Sequence, residues 1–295
     1  MRRPIGLIVL TLVAFFPFMA GVAAEDPQWE EIFFRSNQAY KEGRFQEAIN
    51  GYGHLIQSGQ RTGHLFYNLG NACFRLEQLG PAILNFERAR LLMPRDADLS
   101  FNLRHARDQI QDAIPDSQGL ISSTFFWLDS LSLNDLFLGF AIVNILFWAI
   151  LLIRLFFRSE WSYYLLLVVL IFWVIAGASF GLKWYQVGTD DRAVILTEEV
   201  DVLAGPDIQD TVLFKLHAGA IVHHERSEDG WSLIRLPDKK RGWVKRESVE
   251  RIQYMQTLKS GSLSPALRKT YSSYSAVSSI SVKLTPCSLK RFQAV

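Results

Sequence analysis

Two stretches of this 295-residue chain carry no charged side chain over membrane-scale lengths: Leu136 to Ile153, between Asp135 and Arg154, and Trp161 to Leu182, between Glu160 and Lys183. About 20 apolar residues at about 1.5 Å each match a hydrocarbon core of about 30 Å, so both read as spanning helices, and snorkelling of Arg154 lets the first reach Phe157. We place the spans at residues 133–157 and 161–184. The turn between them holds Arg154 and Arg158, whereas Asp129 and Asp135 precede the first span, which sets the turn in the cytoplasm. Aromatic clusters at Phe125–Trp127, Trp161–Tyr164 and Trp184–Tyr185 fall where interfacial belts belong. Ser132 followed by Asp135 has the spacing of a helix N-cap pair. Inside the spans, Asn144, Gly177 and Gly181 are candidate helix contacts, either within the hairpin or with another membrane helix.

The first 24 residues combine Arg2 and Arg3, an apolar run from Ile5 to Met19 and the small-residue end Val22-Ala23-Ala24, the pattern of a secretory signal peptide. An uncleaved anchor would leave residue 25 on the same side, so residues 25 onward are expected outside the cytoplasm. The formal charge of +2 conceals segmentation. Residues 25–118 carry 10 Lys/Arg against 13 Asp/Glu, residues 190–251 again 10 against 13, and residues 252–295 carry 6 against none. Mildly acidic soluble parts argue against nucleic-acid binding, which needs a basic folded surface. Cys73 and Cys287 are too few for a disulfide framework or a four-cysteine zinc site.

Residues 29–109 repeat with a period of 34: Ser36 matches Gly70, Phe45 Leu79, Ala48 Ala82, Ile49 Ile83 and Tyr52 Phe86. A 34-residue period is that of tetratricopeptide helix pairs. The expected all-α array (25–114) has units at 29–62 and 63–96 and a capping helix at 97–112, which hides the open core of its neighbour. Leu69, Gly70, Ala82, Phe86, Ala89 and Pro94 stand where that repeat needs bulk, close approach, small-residue crossing and a stop. The concave face of the first helices is expected to present Phe33, Asn37, Tyr40 and Lys41, then Tyr67, Asn68, Asn71, Phe74 and Arg75. Asn37 and Asn71 each offer a donor and an acceptor to an extended peptide; the alternative is an ordinary solvated groove. Repeats of this kind that grip a C-terminal carboxylate use Lys where Phe33 stands here. Cys73 reads as a small core residue, with no base spaced to serve it.

Residues 115–132 read as an interfacial linker. Beyond the second span the period changes to short β-type runs at Ala193–Leu196, Val200–Leu203, Val212–Leu216, Ala220–His223, Trp231–Leu236 and Gly242–Val244, separated by turn signals such as Gly205-Pro206 and Glu228-Asp229-Gly230. Five or six strands in about 60 residues predict a small all-β barrel over 190–252. The pieces VDVLAGPD, LHAGAIV, EDGWSLIRL and RGWVKRESV resemble the bacterial SH3-like domain, including both Gly-Trp pairs. Trp231 and Trp243 are its candidate groove residues, or else they complete a barrel with little core. His223 and His224 are adjacent on a strand and point to opposite faces, so they cannot chelate one metal together. Residues 253–295, with ten serines from Lys259 onward and no acid, read as a disordered tail.

Taken together these segments define a multidomain membrane protein: a helical array, a transmembrane hairpin and an SH3-like end. The order of parts, with GNACFRLEQLGPAILNFERA and PRDADLSFNLRHARDQI in the array, resembles the BatE-type family of the Bacteroides aerotolerance operons over residues 1–252. That resemblance implies association with von Willebrand A domain membrane proteins and a MoxR-type ATPase, in envelope stress tolerance or complex assembly at the inner membrane. No catalytic, metal or cofactor pattern stands in the sequence, so the expected function is a scaffold that presents periplasmic binding modules. A second reading is an anchor that holds peptidoglycan through the SH3-like end.

Overall fold

The computed structural model of the chain describes residues 27–112, 127–156 and 159–253. The expected signal peptide, most of the linker, Arg158 and the tail with Cys287 lie outside the described residues.

Helices α1 (Pro27–Lys41), α2 (Phe45–Gln57), α3 (Gly63–Arg75), α4 (Leu79–Leu92) and α5 (Ala97–Arg107) follow one another as antiparallel neighbours. Local chemistry sets their starts: the Thr62 hydroxyl accepts from the Leu65 amide at 3.2 Å, and the Asp96 carboxylate accepts from that of Leu99 at 2.8 Å. In α2 the stripe Ala48, Ile49, Tyr52, Leu55 and Ile56 is buried, and in α3 it is Leu65, Phe66, Leu69, Ala72 and Cys73. Helix crossing depends on a missing side chain at Gly70, where a Cβ would lie 2.7 Å from the Phe86 ring.

Helix α4 departs from the one-sided pattern. Ala82, Ile83, Leu84, Asn85, Phe86, Glu87, Arg88 and Ala89 are all buried, so both of its faces are covered. One face meets α3 and α5, and the other meets the β-sheet.

Seven antiparallel strands form that sheet: β1 (Arg192–Ile195), β2 (Glu199–Leu203), β3 (Val212–His217), β4 (Ile221–Glu228), β5 (Trp231–Arg235), β6 (Arg241–Lys245) and β7 (Val249–Arg251), in the order β3-β2-β6-β5-β4-β1-β7. All seven contribute to one interior, through Ile195, Val202, Leu216, Val222, Ile234, Val244 and Val249, so the sheet curls around its own core. Strand β4 runs further than expected, to Glu228, because Asp229 (φ 44°) and Gly230 (φ 85°) make the tight turn that carries it directly into β5. Strand β7 was not anticipated from its sequence, Val-Glu-Arg.

Alternation along β1 decides how the two units join. Ala193 and Ile195 point into the sheet interior, whereas Val194 belongs to the helical core together with Ile252. The array and the sheet are therefore one packed body rather than two separate modules.

Helix α6 (Trp127–Ser130) leads into α7 (Leu133–Phe156) and α8 (Glu160–Thr189), which are long and apolar enough to cross a membrane. Reciprocal bonds start α7 as expected: Ser132 N donates to Asp135 Oδ2 and Asp135 N to Ser132 Oγ, both at 3.1 Å. The ring pairs Phe137–Phe180, Phe140–Trp173 and Phe147–Trp173 run in opposite senses along the two helices, an antiparallel hairpin. Gly177 packs against Phe140, with its Cβ position 3.2 Å from Cε2, but nothing lies within 4 Å of the Gly181 position. Gly181 is thus not a hairpin contact. An antiparallel hairpin brings its two ends together, so the joined array and sheet lie at one end of it.

Helix α8 ends three residues before β1, which seats the sheet at the end of the hairpin. Lys183 Nζ donates to the Leu128 carbonyl at 2.5 Å, Trp127 Nε1 donates to Ser179 Oγ at 3.2 Å, and Arg95 pairs with Asp135 at 3.1 Å.

Candidate functional site

The first helices of each unit, α1, α3 and α5, place side chains 34 residues apart on one face. Asn37 and Asn71 are such a pair, and so are Asn68 and Asn102. Asn68 Nδ2 donates to Asn37 Oδ1 at 2.9 Å, and Asn102 Nδ2 donates to Asn71 Oδ1 at 2.9 Å. The repeat thus writes the same amide–amide bond twice, across successive helices.

Those bonds correct one expectation about Asn37 and Asn71, that each offers both a donor and an acceptor. Their carbonyl oxygens are already engaged. Asn37 Oδ1 also accepts from the Tyr52 hydroxyl at 2.6 Å. Burial, with Tyr40 adding to it, pushes that hydroxyl well above its usual pKa, so it stays protonated and remains a donor. The Nδ2 groups of Asn37 and Asn71, and the Oδ1 atoms of Asn68 and Asn102, have no partner among the described residues. What the face offers is a fixed alternation of donor, acceptor, donor and acceptor.

Aromatic rings flank the amides. Phe33 packs between Trp29 and Tyr52, each centroid 6.0 Å away, which makes it structural. Tyr40 meets Phe45 edge-on at 5.3 Å, and Arg75 lies 5.7 Å above the same Phe45 ring. Tyr67 accepts from Asn102 Nδ2 at 3.0 Å, and Phe74 packs against His105 at 5.5 Å. Lys41 and Arg75 are exposed at the ends of α1 and α3. Asn102 and His105 were missed in the sequence reading, yet adding 34 to Asn68 and Asn71 finds both.

The other predicted site residues lie apart from this face. Trp231, Leu233 and Trp243 share the outer face of the sheet, since Leu233 stands opposite Trp243. Trp243 is only 7% exposed, and the Arg226 guanidinium lies 5.3 Å above its ring. That leaves Trp231 as the accessible one of the pair. Cys73 is fully buried, and burial pushes its thiol up to about 12, which keeps it out of nucleophilic chemistry at neutral pH. Among the described residues no cluster of His, Cys, Asp and Glu could hold a metal.

Between the array and the sheet lies a network of buried charges. Glu87, 1% exposed, pairs with Arg90 at 2.7 Å, with Arg107, and with Arg192 of β1 at 3.8 Å. Arg88 reaches across to Glu250 at 2.7 Å and to the carbonyls of Arg251 and Ile252 at 2.9 and 3.3 Å. Buried charges persist only when paired and hydrogen-bonded, so this network fixes how the units dock.

No family model, no curated protein and no solved structure matches this chain.

Proposed function

We propose that this chain is a non-enzymatic scaffold of the bacterial inner membrane, with its tetratricopeptide-type array and SH3-like sheet on the periplasmic side, and that the array holds an extended segment of another protein. The observation that carries this reading is the repeated amide pair. Asn37 with Asn68, and Asn71 with Asn102, hold one another in fixed orientation and leave donors and acceptors alternating along the face, as a peptide backbone requires. The BatE-type resemblance adds candidate partners, von Willebrand A domain membrane proteins working with a MoxR-type ATPase. Burial of Trp243 favours the array over the sheet as the recognition surface, and with it the scaffold over a peptidoglycan anchor.

A paired change separates recognition from folding. Asn37→Asp with Asn71→Asp keeps the carboxyl oxygens for Tyr52, Asn68 and Asn102 but removes both amide donors. Photocrosslinkers at Lys41 and Arg75 in intact membranes should capture a protein in the wild-type background and lose it in the double variant. Capture that is unaffected by the double change rules out the amide face. For orientation, alkaline phosphatase fused after Ile252 should be active and fused after Arg158 inactive; the reverse pattern overturns the periplasmic placement.

A further inference from the structure

A cavity of about 600 Å³ opens where the array meets the sheet. Its walls come from the α3–α4 turn (Glu77, Gln78), the start of α4 (Leu79, Pro81), the chain after α5 (Gln109, Gln111), the β1–β2 turn (Leu196, Glu198) and the end of β3 with the turn after it (His217, Ala218). That volume lies in the range of small-molecule sites. No Lys or Arg lines it, and among the described residues neither Glu77 nor Glu198 forms an ion pair.

Two features mark the lining as more than an acidic rim. Gln78 Oε1 is a buried oxygen with no hydrogen-bond partner among the described residues. Buried polar atoms are normally satisfied, and a soft terminal torsion lets Gln78 turn an unspent group to an occupant. The second feature is backbone. One repeat earlier the position of Glu77 is Gly43, with φ 79°, and Glu77 adopts nearly the same left-handed conformation at φ 60°. Glycine takes that conformation freely and Glu does not, so a carboxylate is held at the cavity at the expense of backbone strain.

Chemistry of the walls defines the ligand. Glu77, Glu198 and the amide oxygens are acceptors, while Leu79, Pro81, Leu196 and Ala218 supply an apolar floor. His217 is anchored from the array side, its backbone N–H donating to Asp112 Oδ2 at 2.7 Å and its Nδ1 meeting Oδ1 at 3.1 Å. We propose that this cavity binds an alkylammonium group, its methylenes on the apolar floor and its N–H donors on Glu77 and Glu198, bridging the array to the sheet.

Such a group could come from a diffusible amine or from the basic tail of the chain itself, where Lys259, Lys269, Lys283 and Lys290 carry it beside the guanidinium groups of Arg268 and Arg291. The test is calorimetric titration of the detergent-solubilised full chain with 1,5-diaminopentane, using 1,5-pentanediol as the neutral control. A second protein has those six tail residues changed to Gln. Binding of the diamine but not the diol by wild type identifies a diffusible amine, and binding only by the tail variant identifies the tail as the occupant. Glu77→Gly should melt no lower than wild type, since glycine relieves the turn, yet weaken binding at least about fivefold, as should Glu198→Gln. No binding by either protein, or unchanged affinity in both Glu variants, overturns the proposal.

Discussion

Arg88→Met tests the joint between the two soluble units. Methionine keeps the apolar stem in place but removes the cation 2.7 Å from Glu250 and two donors, to the carbonyls of Arg251 and Ile252. The pair is nearly dry, with side-chain exposures of 4% and 10%. Breaking such a pair from one side costs about 3 to 5 kcal/mol, because the other charge stays buried. We take the lower figure, since the stem still fills its space. At about 1.4 kcal/mol per decade, about 3 kcal/mol predicts about a hundredfold faster amide exchange in β1 and β7, if they open locally. Exchange in α1 and α2 should change far less, since neither touches the sheet closely. Hydrogen exchange with mass spectrometry on the solubilised full chain reads both. Adding Glu250→Gln should recover much of the loss, since a neutral pair leaves no buried charge. Acceleration below about fivefold in β1 and β7 would refute the view that this ion pair holds the sheet to the array.

Two further outcomes follow from the packing. Gly70→Ala puts a methyl 2.7 Å from two Phe86 ring carbons, so the array should lose about 1 to 3 kcal/mol; an unchanged thermal midpoint for the full chain would mean that α3 and α4 do not cross there. Cys73 has a pKa raised by burial from 9.0 to about 12. In a Cys287→Ser background it should therefore resist maleimide at pH 8 until denaturant is added. A folded-state pKa above the unfolded value gives stability that is complete below pH 9 and lost as pH rises towards 12. That component should be absent in Cys73→Ala, and fast labelling of the native chain would contradict the burial.

The proposed amide face and the docking ion network lie mainly on different helices, the amides on α1, α3 and α5 and the central charges on α4. Asn68 and Asn71 look outward from α3, whereas Glu87 and Arg88 look from α4 towards the sheet. A partner held on the amide face would bear on a body joined to the α7–α8 hairpin through Arg95, which pairs with Asp135, and through Gln253, which donates to the Val187 carbonyl.

Periodicity was enough to locate what depends on near neighbours. The 34-residue spacing placed Asn37, Asn71 and the Gly70 crossing, charge-free runs placed the hairpin, and Glu228-Asp229-Gly230 marked a turn, although the strand before it was read only as far as His223. Each is a local pattern, because helix faces, spanning lengths and tight turns are set within a few residues along the chain. The tertiary structure alone decided the rest. Arg88 finds Glu250 across 162 positions and His217 finds Asp112 across 105, and no sequence period encodes either meeting. Glu87 and Arg88 look like ordinary surface charges on a helix until β1 and β7 cover them. Asn37 looks like a free amide until Tyr52 and Asn68 spend its oxygen. A side chain's partner, unlike its helix face, depends on which distant segment the packing brings within about 3 Å.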